Sequence, residues 1–183
     1  MPQHSKPFVR RAEPGDADML ATLGRALNIQ QGDPSTNFTA EAVRRDGFGS
    51  EPRFEAWMAE VDGLAVGYAL VVPAAYETGY AKAGVYVQDV FVAPEARHRG
   101  VGRALMAAVA ADARRRGLEF VWWASRSWNT ESHAFFRTLA TVEEPVIAFA
   151  TFGDEFTRLA DEGDSIEPRV PEDSRPVGHH APP

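Results

Sequence analysis

The stretch from Asp89 to Leu105 constrains this chain more than any other. Val90, Phe91 and Val92 read as a hydrophobic strand, Pro94 stops it, and a loop holding Gly100 and Gly102 opens directly into a helix. The first amides of a helix have no intrahelical partner and carry the positive end of its dipole. Glycines let a backbone approach an anion closely and adopt positive φ. A strand feeding such a helix start makes a seat for a diphosphate. Charge agrees: between Ala96 and Ala111 the formally charged residues are Arg97, Arg99 and Arg103, in a chain of net charge −7. Arginine pairs well with phosphate oxygens. Against this stands a glycine-rich helix start with solvated arginines, the better reading for the glycine pair alone. Two other phosphate loops fail. The P-loop needs Gly-Lys-Ser/Thr, and the dinucleotide fingerprint needs three glycines in an early βαβ unit. Neither is present.

The rest of the chain alternates strands and helices. Phe8–Arg11 reads as a first strand, and Leu20, Leu23 and Leu27 recur at helical spacing. Thr39 is placed to cap a second helix ending near Asp46-Gly47. Phe54–Val61 and Leu64–Val72, joined by Asp62-Gly63, form the clearest hairpin. A turn-rich stretch is expected over 73–84, then a strand over 85–92 whose alternation slips at Gln88-Asp89, as at a bulge. A helix is expected from Gly102 to Arg116 with Gly117 as C-cap, then a buried strand Phe120–Ala124, a helix Thr130–Leu139, a final strand Val146–Phe152, and a helical turn or two after Asp154. From Asp161 to Pro183, acidic residues and prolines predict a disordered tail after a domain spanning residues 1–160.

Composition excludes whole classes of chemistry. With no cysteine, the chain has no disulfide, Cys-ligated zinc, iron–sulfur cluster or cysteine nucleophile. No metal is expected: His179-His180 in the tail are read as inert. The net charge disfavours a broad nucleic-acid surface. No apolar run is long enough for a membrane helix and no secretory signal is visible, so a cytoplasmic address is expected, with no membrane partner.

At Arg97, Gly100 and Gly102 the chain resembles the GNAT acetyltransferase superfamily, whose signature is Arg/Gln-x-x-Gly-x-Gly/Ala. The resemblance extends from about Phe8 to Leu159. Asp46-Gly47-Phe48-Gly49, Val66-Gly67-Tyr68-Ala69, Asp89-x-Phe91-Val92 and Trp128-Asn129 make it most similar to the diamine (spermidine/spermine) acetyltransferase branch. The resemblance implies an α/β (α+β) fold with a central mixed, mostly antiparallel sheet flanked by helices. It also implies an N-acetyltransferase that moves an acetyl group from acetyl-CoA to a primary amine of a small molecule, by direct attack in a ternary complex, and a homodimer. In the cofactor site it places Val90, Phe91 and Val92 along the pantetheine arm and His98, Arg99, Gly100, Val101, Gly102 and Arg103, with Arg97, around the pyrophosphate. Asn129 and Ser132 would meet the cofactor from the neighbouring helix. Trp122, Trp123, Ala124 and Tyr86 would line the acceptor side, with one of the two tryptophans expected in the core.

The chain departs from that branch at both catalytic positions. Relatives commonly carry a glutamate base where Gln88 stands and a tyrosine acid where Phe136 stands. Glutamine takes no proton, though it orients water, and phenylalanine has no proton to give. By position Asp89 is the best replacement base, with a purely structural carboxylate about equally expected; Glu60, Glu131 and His133 are weaker candidates. The uncharged stretch Asn28–Gln31 also lacks the acid that the polyamine branch places there. Two alternatives follow: a catalytically weakened acyl-CoA-binding regulatory module, and a protein acetyltransferase acting on lysine or an N-terminal amine.

Overall fold

The computed structural model describes residues 5–33 and 35–164. They fall into two units, Met1–Thr141 and Val142–Pro183. In the first, five strands form one sheet in chain order: β1 (Phe8–Arg11), β2 (Glu55–Val61), β3 (Leu64–Glu77), β4 (Lys82–Val92) and β5 (Phe120–Trp123). Neighbours run antiparallel except β4 and β5, which are parallel. The expected mixed sheet is therefore present.

Alternation along the strands splits the core into two layers. Ala56, Met58, Tyr68, Leu70 and Phe91 face α1 (Ala17–Gln30) and α2 (Ala40–Phe48), which contribute Leu20, Leu23, Leu27 and Val43. Trp57, Ala59, Val61, Ala69, Val71, Val85 and Val87 face α3 (Val101–Arg115), which contributes Val101, Leu105, Met106 and Val109. Local signals behave as their chemistry dictates. Thr39 caps α2 by accepting from the Ala42 amide at 3.1 Å. Asp62 and Gly63 both take positive φ (53° and 76°), as a tight two-residue hairpin requires. Gly117, at φ 75°, ends α3.

Some elements differ from expectation. The hairpin continues through the stretch read as turns, to Glu77 on β3 and from Lys82 on β4. Pro73 is tolerated because the register shifts between Val72 and Ala75, where no ladder amide is needed. The strand expected to be buried, β5, is half-buried along its length. Helix α4 spans Thr130–Phe136 and finishes in a turn, short of Leu139. In the second unit, Val146–Phe152 forms no strand. No strand pairs with it among the described residues, and Ile147, Phe149 and Phe152 stand in solvent. Helix α5 runs from Gly153 to Asp164, longer than the turn or two expected. Residues 165–183 of the expected tail, with His179 and His180, lie outside the described ones.

Arg10 fixes the start of the domain. Its guanidinium donates to both Asp16 oxygens, at 2.7 and 2.8 Å, and to Glu60 at 2.9 Å, tying β1 to the turn before α1 and to β2. The Arg10 hydrogen bonds hold the Asp16 carboxyl below its usual range. A carboxyl lowered in the folded state contributes stability above its unfolded pKa and loses it as pH falls through the lower folded value. Asp16→Ala is therefore expected to cost about 1–2 kcal/mol at pH 7. In urea titrations the gap to wild type should close as the pH drops below 3.8, the ordinary aspartate value.

Candidate active site

The site begins where β4 outruns its neighbour. β5 pairs with β4 only from Gly84–Phe120 to Val87–Trp123, whereas β4 continues to Val92 against β3. The register shift between Leu70 and Val71 leaves Gln88 without a partner, which is the bulge read from the sequence. Beyond it, alternate residues aim their backbone groups at opposite edges. Ala93 donates to Val66 on the β3 side at 2.8 Å, so Phe91 and Asp89 also turn their backbone groups towards β3. Val90 and Val92 turn theirs towards the open edge. Of the three positions assigned to a pantetheine arm, Phe91 is thus the one whose backbone is turned to β3, and its side chain lies in the core beneath α1 and α2.

That open edge leads into the start of α3. A short helical turn (Pro94–Ala96) follows β4. His98 and Gly100 then take positive φ, 57° and 80°. The first backbone bond of α3 runs from Ala104 to Gly100 at 3.0 Å, so the amides of Val101, Gly102 and Arg103 precede the ladder. The two glycines serve different ends. Gly100 provides the left-handed conformation, with open space where a Cβ would point. At Gly102 a Cβ would come within 3.2 Å of the Phe135 ring, so this glycine lets α4 pack close.

The arginines also differ. Arg97 Nε donates to the Val92 carbonyl at 3.1 Å and Nη2 to Gln30 Oε1 at 2.6 Å, while Nη1 lies 3.7 Å from Glu131. Arg97 is thus a brace joining β4, α1 and α4. Sequence gives no sign of this, because its partners are remote along the chain. Arg99 lies 4.0 Å from Asp62, and its Nε is the buried side-chain polar atom left without a partner among the described residues. Arg103 is exposed on the first turn of α3, and His98 is exposed 3.7 Å from Glu131.

The remaining candidates gather on β4, β5 and α4. Asn129 caps α4 by accepting from the Ser132 amide at 3.2 Å. Trp123 packs into the α3 core and against Phe136, with ring centroids 5.7 Å apart, so it is the tryptophan spent on structure. Trp122 pairs with Tyr86 on the opposite face of the sheet, and Ala124 lies exposed just past β5. Gln88 is exposed, whereas Asp89 is mostly buried and accepts from the Tyr68 hydroxyl at 3.3 Å. Burial pushes the Asp89 carboxyl above its usual range, and the Tyr68 hydrogen bond opposes that in part. Of the weaker candidates, Glu60 is paired with Arg10, Glu131 sits beside Arg97, and His133 Nε2 lies 2.9 Å from the Arg126 carbonyl. No cluster of potential metal ligands occurs among the described residues.

A splayed strand pair leading into an anion-ready helix start agrees with what comparison with known proteins finds. The sequence pattern of the acetyltransferase (GNAT) family matches residues 24–140. The chain belongs to that family. This acetyltransferase is 29% identical over 141 residues to a thialysine N-epsilon-acetyltransferase of Sus scrofa, spanning 72% of this chain and 82% of the relative. An integron cassette protein of V. cholerae superposes on it with a TM-score of 0.71 at 18% identity, covering 85% of this chain and 98% of the other. An aminoglycoside N-acetyltransferase, whose structure was determined with CoA, superposes with a TM-score of 0.65 at 23% identity over 82% and 98% of the two chains. These structural likenesses establish the fold, and the family makes the chain an acyltransferase. Its arginines give a direct check on the site's architecture. Arg97→Ala should cost about 1–3 kcal/mol in urea unfolding, because it strips several polar groups of their partner. Arg103→Ala should stay within about 0.5 kcal/mol of wild type.

Proposed function

We propose that this enzyme is an N-acetyltransferase acting on a primary amine of a small molecule, with acetyl-CoA as acyl donor, by direct attack in a ternary complex. The observation that carries the reading is the open edge of β4 running into the start of α3. The residues fit the donor. Val90 and Val92 offer backbone groups to an extended pantetheine arm, although the Val92 carbonyl is already held by Arg97. The amides from His98 to Arg103 suit a diphosphate, and the unpartnered Arg99 Nε supplies a further donor beside them. Asn129 and Ser132 at the head of α4 complete the cofactor side. Tyr86, Trp122 and Ala124 border the acceptor side. A thialysine acetyltransferase among the relatives supports an amine on a flexible amino-acid-like substrate, and with it the diamine branch. A homodimer belongs to the same reading, supported by the exposed apolar side chains of the second unit, among them Ile147, Phe149 and Phe156. So does a cytoplasmic address.

Acetyl-CoA supplies the activated thioester carbonyl. The chain's own residues must hold the amine, take its proton and shield the site from water. An alkylammonium has a pKa of about 10, so a base is required near neutral pH. Asp89 meets that need, because burial raises its carboxyl towards the working range, where a general base is most effective. Exposed Gln88 orients water beside it. Phe136, packed on Trp123 and Phe135, gives no proton. Releasing a thiol of pKa about 8.5 as its thiolate at pH 7 forgoes only about 2 kcal/mol. No covalent enzyme intermediate is needed.

A thiol-release assay across polyamines, amino acids, aminosugars and lysine peptides tests the reading. Turnover with a small amine supports it, turnover with peptides alone replaces it with a protein acetyltransferase, and no turnover above background removes it. Asp89→Asn should lower kcat/KM by about 10²–10⁴-fold. A carboxyl whose folded pKa is raised loses its stabilising share as pH rises through that value. Asp89→Asn should therefore unfold no lower than wild type above that pH, so that activity falls without loss of stability. Gln88 and Phe136 favour a second reading, an acyl-CoA-binding regulatory member with weakened catalysis. Under that reading Gln88→Glu with Phe136→Tyr raises turnover from near background.

A further inference from the structure

Beneath the bulge lies an arrangement that the reaction as described leaves unused. Tyr68 is 1% exposed, at the centre of the layer covered by α1 and α2. It pairs with Phe91 across the β3–β4 ladder, with ring centroids 6.3 Å apart, and Leu70, two residues on, stands opposite Asp89. Its hydroxyl reaches diagonally to Asp89 Oδ2 at 3.3 Å. Helix α1 closes over that hydroxyl at Gly24, where an added Cβ would meet it at an ordinary contact distance of 3.6 Å and would collide with the Phe38 ring at 2.5 Å. A buried phenol has one O–H to donate, and here it donates that hydrogen bond to Asp89. Among the described residues Oδ1 has no hydrogen-bond partner, yet it is not among the sealed, unpartnered side-chain atoms, so it keeps its access to solvent.

We propose that Tyr68 is a positioning residue for the reaction. Its hydroxyl fixes Asp89 Oδ2 and turns Oδ1 outward to receive the proton of the attacking amine. The proposal rests on Asp89 being the base. As the nitrogen–carbon bond forms and the carbon–sulfur bond breaks, the amine proton passes to Oδ1 and the electron pair of the broken bond leaves on sulfur. Tyr68 keeps its own proton throughout. Burial, and then the neighbouring Asp89 charge, hold its hydroxyl well above the usual tyrosine range, so it remains a donor at any working pH. The groups around Asp89 offer no rival. The buried hydrophobic layer there includes Leu20, Leu23 and Leu27 from α1, Val43 from α2, Leu70 from β3 and Phe91 from β4, and uncharged Gln88 adjoins in sequence. Tyr68 is the titratable group that acts on Asp89. A contact of 3.3 Å is long for a hydroxyl donor, and such contacts tighten once substrate is bound.

The test compares wild type, Tyr68→Phe and Asp89→Asn as full-length chains. Phenylalanine keeps the ring in its place, and a thermal unfolding scan verifies that the variant is folded. Two readouts are taken. The first is the titration of the Asp89 carboxyl carbon by NMR on aspartate-labelled protein, assigned by its loss in Asp89→Asn. The second is the pH dependence of kcat/KM with the amine turned over best. Losing a hydrogen bond to the carboxylate should raise the Asp89 midpoint by about one pH unit and carry the acidic limb of the rate profile up with it. An NMR midpoint that does not move in Tyr68→Phe overturns the positioning role, even if Asp89→Asn abolishes the limb and leaves Asp89 standing as base. A limb that survives in Asp89→Asn overturns the base, and the positioning role falls with it, even if the NMR midpoint has moved.

Discussion

Strand β4 carries two incompatible obligations, and the site follows from how it meets them. On one edge it pairs with β3 along almost its whole length; on the other it meets β5 for four residues only. The bulge at Gln88 is where the obligations part. Before it, β4 is an interior strand with both edges satisfied. After it, Val90 and Val92 present backbone groups to an edge that no strand occupies among the described residues. Free backbone groups beside a core are costly unless something pairs with them. Arg97 takes the Val92 carbonyl, and an extended ligand arm suits the rest. The same strand then feeds the start of α3, where unpaired amides continue the run of donors.

The two faces of the sheet divide the labour. The α3 face is packed for stability and includes Trp123 and, through it, Phe136. The opposite face carries Tyr86, Trp122, Gln88 and Asp89, and α1 and α2 cover only the part around Phe91. Asp89 sits at the border of that covered part. Burial there works against its charged form, so it costs stability while making the carboxyl a stronger base. Such local conflict between stability and activity is what the proposed role of Asp89 as base entails.

Much of this was legible in the sequence because the signals are local. Thr39, Asp62-Gly63 and Gly117 each act through the conformation or hydrogen bonding of a few neighbouring residues, and the broken alternation at Gln88-Asp89 disclosed the bulge. Pro73 misled because a proline ends a strand only where its missing amide is needed, and the register slips there. Val146–Phe152 has the residues of a strand, but a strand exists only by pairing, and pairing is not a property of the segment. The candidate site was legible as a stretch of chain, but the contacts that its residues make were not. Arg97 and Gly102 fit a phosphate motif, yet Gln30 and Phe135, far off in sequence, employ one as a brace and the other as a packing space. Tyr68 enters the sequence reading only as part of the stretch Val66-Gly67-Tyr68-Ala69, until the fold sets it diagonally across from Asp89.

The central claim is that the start of α3, released by Gly100 and flanked by arginines, holds the diphosphate of coenzyme A. Isothermal titration calorimetry with coenzyme A tests it most directly. The account predicts saturable binding by the wild-type chain and affinity at least about tenfold lower in Gly100→Asp, which puts a carboxylate and a strained residue where the anion sits; tenfold corresponds to about 1.4 kcal/mol. No binding by the wild type, or unchanged affinity in Gly100→Asp, would contradict it.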